Sequence, residues 1–141
     1  ATFADGKTVY HIGESHCLSY VYRLVKIQGM NYTITPRITV GAKAYHFSTE
    51  KENALKAITK ANFHSLFDSS KVFISFGEID CRPNEGFISA VKKRKKTIED
   101  LVADTVRGYV DWFAEKTKVK ITVCFFSMCL HQSITKNTVR N

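Results

Sequence analysis

The sequence predicts one α/β domain, a mostly parallel sheet sandwiched between helices in three layers. Three observations carry this expectation. Short β-branched and apolar runs alternate along the chain with longer segments of helical periodicity, the order that right-handed crossovers turn into a parallel sheet. The first three of these runs each stop at a glycine: Gly13, Gly41 and Gly77. The 141 residues, 44% of them hydrophobic, suffice for a single core and fall short of two.

Taken in order, Lys7 to Ile12 (KTVYHI) is β-branched and aromatic and reads as the first strand. Ser15 to Lys26 carries Leu18, Tyr22 and Val25 at helical spacing and reads as the first helix. A loop holding Gly29, Asn31 and Pro36 leads to a short second strand, Arg37 to Val40. Thr49 to Phe67 sets Ala54, Leu55, Ile58, Ala61 and Leu66 on one helical face, and Thr49 with Glu52 has the spacing of a capping box. Lys71 to Phe76 (KVFISF) is nearly all apolar, as a strand covered on both faces should be. The longest helix follows, with Ile98, Leu101, Val102, Thr105, Val106, Tyr109, Trp112 and Phe113 recurring at three and four. Val119 to Met128 (VKITVCFFSM) completes the predicted strands. A flavodoxin-like arrangement orders these four strands 2-1-3-4, which makes strands one and three neighbours.

Composition narrows the function classes. No apolar run reaches the roughly 18–20 residues of a bilayer span, and the opening ATFADGKTVYHIG lacks the basic and apolar regions of a signal peptide. Twenty-one Lys and Arg against thirteen Asp and Glu give a formal charge of +8, which attracts anions without selecting among them. Five of the positives form one run, Lys92 to Lys96, either the solvated start of a helix or a phosphate-contacting patch. Neither the P-loop nor the dinucleotide-binding pattern is present, and nucleic acid is not the expected partner. The cysteines Cys17, Cys81, Cys124 and Cys129 are too few for a disulfide-built module; read as unpaired, they lean towards a reducing interior. Cys124-x4-Cys129-x-His131 lacks the usual zinc spacing, so no metal or other cofactor is expected. Oligomeric state and compartment are not encoded legibly.

Two segments leave the carboxyl ends of predicted neighbouring strands, the edge where parallel sheets bind ligands. They are Gly13-Glu14-Ser15-His16 and Gly77-Glu78-Ile79-Asp80-Cys81-Arg82. A serine on a tight strand-to-helix turn has the exposure a nucleophile needs; the same position equally suits a helix cap. Glu78, Asp80 and Arg82 follow a buried strand within five residues. They form either a structural ion-pair cluster or a carboxylate and guanidinium offered to a ligand.

Together these residues resemble the SGNH hydrolase superfamily, the GDSL-like esterases and lipases. Gly13-Glu14-Ser15-His16 looks like its first block, with Glu14 in place of the usual Asp. The string Phe76 to Arg82, FGEIDCR, looks like a variant of its third block. The resemblance implies Ser15 as nucleophile, the N–H of Gly41 as an oxyanion donor by position, and Asp80 where the family carries the third-block Asn. Glu14, His16, Glu78 and Arg82 would then shape the substrate site. The implied activity is hydrolysis of a carboxylic ester, on a carbohydrate or a small lipid, through an acyl-serine.

This chain departs from the family pattern in two places. An ionised Asp80 or Glu78 only accepts hydrogen bonds, whereas the family's Asn donates one. No Asp or Glu has a His three positions on, so the D-x-x-H block that supplies the base is missing. His131, after the last predicted strand, is the alternative base by position. A terminal apolar strand left as an exposed edge is unusual, which favours a domain lacking a fifth strand at its C-terminal end. Two functions are therefore expected from the sequence: a serine ester hydrolase, or a catalytically degenerate module that recognises an anionic or carbohydrate partner.

Overall fold

The computed structural model describes residues 7–66 and 70–116, and the backbone of Thr122–Phe125. The chain runs β1 (Thr8–Gly13), a 3-10 helix (Ser15–Tyr20), β2 (Leu24–Ile27), β3 (Met30–Ile38), α1 (Ala44–Ser48), α2 (Ala54–His64), β4 (Lys71–Ser75), a second 3-10 helix (Ile79–Cys81), α3 (Phe87–Lys93), α4 (Ile98–Lys116) and β5 (Thr122–Phe125). The strands form one sheet in the order β2-β3-β1-β4-β5. β1 is parallel to β3 and β4, and β4 to β5; only β2 is antiparallel, to β3. The chain thus adopts a mixed α/β fold with a mostly parallel sheet. No helix among the described residues is long and apolar enough to cross a membrane.

The first predicted helix is not formed. After six residues of 3-10 helix the chain enters a β-hairpin. Tyr22, at φ 56°, breaks the helix, and Gln28 (φ 50°) with Gly29 (φ 78°) makes the two-residue turn. Positive φ at both central residues gives the twist that antiparallel strands need. The predicted second strand likewise begins early: β3 starts at Met30 and contains Pro36. Backbone bonds from the β2 side reach only to Ile34, so β3 is an edge at Pro36 and tolerates a residue without an N–H.

The helix predicted from Thr49 starts later, as α2 at Ala54, with the short α1 before it; the α2 cap is not Thr49 but Asn53, whose side chain accepts from the Lys56 N–H at 2.9 Å. Its buried face is also rotated. Lys56, Thr59 and Phe63 face inward, while Ile58 is 47% exposed. Thr59 is held by a 2.9 Å hydroxyl–hydroxyl bond to buried Thr39, and the buried Lys56 ammonium donates to the Thr49 and Lys51 carbonyls. Two of the three inward residues are thus polar and paired, and the third, Phe63, joins the core. The long helix keeps part of its expected face: Leu101, Thr105, Tyr109, Trp112 and Phe113 are buried, whereas Ile98 and Val106 are exposed.

The core lies between the sheet and α1, α2 and α4. Tyr10 and Ile12 of β1 and Val72 and Ile74 of β4 meet an aromatic cluster centred on Phe47. That ring, 1% exposed, lies 4.7 Å from Phe76, 5.0 Å from Phe113 and 5.1 Å from Trp112, centroid to centroid. α1 and α4 come this close because Gly108 has no side chain. A Cβ there would stand 2.7 Å from the Ser48 carbonyl oxygen. Phe47→Ala is expected to cost about 3–5 kcal/mol. A denaturant midpoint unchanged by this substitution would show that α1 is not anchored through its ring.

Candidate functional site

The site begins with register. Gly13, the last residue of β1, pairs with Ile38 of β3 on one side and Ser75 of β4 on the other. All three strands are parallel, so residues 14–16, 39–42 and 76–82 leave the same rim of the sheet. Gly13 must be glycine for this approach, because a Cβ would stand 2.6 Å from the Ser75 carbonyl oxygen. The loop after β3 is pinned here by the Thr39 N–H, which donates to Gly13 O at 2.9 Å. Asn62 of α2 donates to Ile38 O at 3.2 Å from the other side.

At the rim, Glu14 caps the first 3-10 helix: its fully buried carboxylate accepts the His16 N–H at 2.9 Å. The same oxygen, Oε2, accepts from His16 Nδ1 at 2.8 Å and from the Ser15 hydroxyl at 3.4 Å. The cap reading of Ser15 is therefore replaced: Glu14 does that work, and Ser15 is an exposed first helical residue. Because a carboxylate accepts only, His16 carries its proton on Nδ1, which leaves Nε2 as the nitrogen not engaged by Glu14. The imidazole is 40% exposed and its Nδ1 lies 3.7 Å from Glu78 Oε2. Arg82 grips Glu78 in turn, through Nε at 3.2 and 3.1 Å and NH2 at 2.8 Å. This pairing raises the Arg82 guanidinium pKa still further. Glu14, Ser15, His16, Glu78 and Arg82 are thus brought together, as the two motifs required.

The remaining expected residues do not join this network among the described residues. Asp80 is buried, and its Oδ2 and Oδ1 accept the backbone N–H groups of Ala44 and Tyr45 at 2.7 and 3.1 Å. Its carboxylate is committed to the start of α1. Burial raises its pKa, against the pull of those two donors and of Lys43. Gly41 follows β3 on the shared rim with φ 72°, and nothing crowds its Cβ position. His131 lies outside the described residues, as do Cys129 and the Cys124 side chain.

The cysteine reading needs correction: Cys81 is disulfide-bonded. Cys17 is a free, buried thiol, its pKa pushed up to about 11 by burial and then by the Glu14 charge. Among the described residues, Glu14, His16 and Glu78 also offer ligand atoms within 4.8 Å of one another, a donor set a divalent cation could use. Arg82 and His16 already occupy these carboxylates, so the arrangement reads first as an ion-pair network. Among the described residues one buried side-chain atom stays unsatisfied. Glu14 Oε1 is buried without a hydrogen-bond partner.

Sequence reasoning missed two polar contacts behind the rim. His11, on β1, makes a 2.7 Å bond through Nε2 to the Ser75 hydroxyl. His46 Nδ1 accepts the Lys43 N–H at 2.9 Å. The pattern T-V-Y-H-I makes His11 look like one residue of an alternating strand, and only its neighbour on β4 supplies the partner. Comparison with protein-family models, with curated proteins and with solved structures finds no match to this chain.

Two measurements test this account of the site. Asp80→Ala strands one buried and one half-buried N–H group and is expected to cost about 2–3 kcal/mol, with Asp80→Asn less harmful because its amide oxygen still accepts; equal stability of all three proteins would refute the role. Burial lowers the pKa of His11, with Glu14 opposing, and of His46, with Lys43 adding and Asp80 opposing. The unfolded chain therefore binds protons below its ordinary pKa of 6.5 that the folded chain refuses. The stability they contribute is complete above that pH and is lost as pH falls. Thermal melts from pH 7.5 to 5.5 should show a shallower fall for His11→Gln than for the unaltered chain, a difference in which the contribution of Asp80 cancels. Parallel curves would remove His11 from the account.

Proposed function

We propose that this protein is a serine ester hydrolase of SGNH type, with Ser15 as nucleophile on a flavodoxin-like, three-layer scaffold. The observation that carries the reading is that Ser15 is exposed at the shared rim while Glu14, not Ser15, caps the helix. The hydroxyl is not needed for the fold and stands beside a buried carboxylate and an oriented imidazole. That Glu78, the residue directly after the glycine beyond β4, reaches within 3.7 Å of His16 supports treating both motifs as one site.

In this scheme the Ser15 oxygen attacks the ester carbonyl and its proton passes to a base. The oxyanion is stabilised by the Ser15 and Gly41 N–H groups, the alcohol leaves with a proton returned by the base, and water hydrolyses the acyl-serine. His16 is the described histidine nearest the nucleophile in this network. Its Nδ1–H donates to buried Glu14, which is how a carboxylate orients a catalytic imidazole, and Nε2 is left for proton transfer. Glu78 and Arg82 form the polar wall that faces the substrate, an O-acyl carbohydrate or a small lipid ester. Asp80 supports the site through α1.

The test is hydrolysis of p-nitrophenyl acetate by the purified chain. Ser15→Ala is expected to lower kcat/KM on the order of 10³-fold or more while leaving the melting temperature unchanged. His16→Gln should fall nearly as far, since nucleophile and base act as a unit. Turnover that survives Ser15→Ala would sink the nucleophile assignment, and activity lost with Ser15→Ala but kept in His16→Gln would move the base elsewhere in the chain.

A further inference from the structure

Behind the rim, α1, α3, α4 and the loop after the second 3-10 helix border a partly open cavity of about 190 Å³. Two acids and three cations line it, and the acids are already engaged. Asp80 receives the Ala44 and Tyr45 N–H groups, and the Glu85 carboxylate receives Arg82 NH1 at 3.3 Å. The cations differ. Lys43 donates to the Glu85 backbone carbonyl, and Arg94 donates to the Tyr45 hydroxyl with its guanidinium 4.6 Å above the Tyr45 ring. Among the described residues neither of these, nor Lys93, is paired with a carboxylate. The charge left uncompensated at this cavity is positive.

The remaining wall is apolar, from Phe87, Ala90 and buried Leu101. The Tyr45 ring and hydroxyl hold Arg94 in place, and a held guanidinium presents a fork that matches an oxyanion. The volume is below that of drug-sized pockets, roughly 300 Å³ and upward. It suits a body of about one sugar ring.

We infer that this cavity binds a compact organic oxyanion, a carboxylate, sulfate or phosphate carried on a body no larger than a monosaccharide. Arg94, Lys93 and Lys43 hold the anionic group, and Phe87, Ala90 and Leu101 face the apolar side of the ring. The inference stands apart from the hydrolase reading, because none of the cations that define the cavity belongs to the Ser15 cluster. It also divides the basic run: Lys93 and Arg94 line the cavity, whereas Lys92, Lys95 and Lys96 do not, and Lys96 is paired with Asp104 at 2.9 Å.

Isothermal titration with glucuronate, glucose 6-phosphate, inorganic phosphate and glucose tests it on the full chain. Saturable binding of the two anionic sugars is expected, with weaker binding of inorganic phosphate and none of glucose. Replacing both Lys93 and Arg94 by Gln should weaken sugar-acid binding roughly tenfold or more, given the strength of charge-assisted hydrogen bonds. The paired control Lys92→Gln with Lys95→Gln removes the same charge from the same run and should leave binding unchanged. An equal loss in both double variants would mean that the diffuse charge of the run attracts the anion, and the cavity assignment would fall. Glucose binding as tightly as glucuronate would overturn it too. Ser15→Ala binds normally under this inference, so its outcome is separable from that of the esterase assay.

Discussion

The pairing of β1 with β4 is the constraint on which the rest depends. It places Gly13 directly against Ser75, and only a residue without a Cβ permits that approach. From this one contact the two motif segments emerge side by side, and Glu14, His16, Glu78 and Arg82 fall into a continuous polar chain. A one-residue slip would carry every side chain of β1 to the opposite face. His11 would then lose Ser75, and Tyr10 and Ile12 would leave the aromatic core.

Buried carboxylates extend this arrangement in two directions. Glu14 gathers the backbone and side chain of His16 and the Ser15 hydroxyl onto one oxygen. Asp80 reaches across to α1 and fixes the helix whose Phe47 occupies the centre of the core. The segment after β4 therefore serves two functions at once. Glu78 and Arg82 face the rim, while Asp80, between them, secures the scaffold. Gly86 belongs to the same design, since a Cβ there would overlap the Asp80 carbonyl. Charged groups this deeply buried are costly unless matched by donors; Glu14 draws its donors from the two residues that follow it, and Asp80 draws its donors from a helix start some 35 residues away.

The class of fold was legible because its signals are local. The apolar stretch Lys71 to Phe76, the three-and-four spacing of Leu101 to Phe113, and the glycines that end strands each report on a few neighbouring residues. The hairpin was not read, although Gln28-Gly29 between Val25-Lys26-Ile27 and Met30 carries its mark. Leu18, Tyr22 and Val25 satisfy a helical period equally well, and in the folded chain Tyr22 is 70% exposed. Helical spacing alone does not reveal whether there is anything for the helix to pack against.

What the sequence determined by itself was the set of residues at the rim and their order, because glycine, serine and clustered charge at strand ends are constrained by short-range sterics and solvation. What each residue does was decided by tertiary structure. That Glu14 rather than Ser15 caps the helix, that Asp80 holds α1 instead of facing the nucleophile, and that Arg94 and Lys43 share a cavity with Lys93 all follow from contacts spanning two to about fifty residues of chain. A carboxylate takes its role from the donors that reach it, and only the packed fold determines which donors those are.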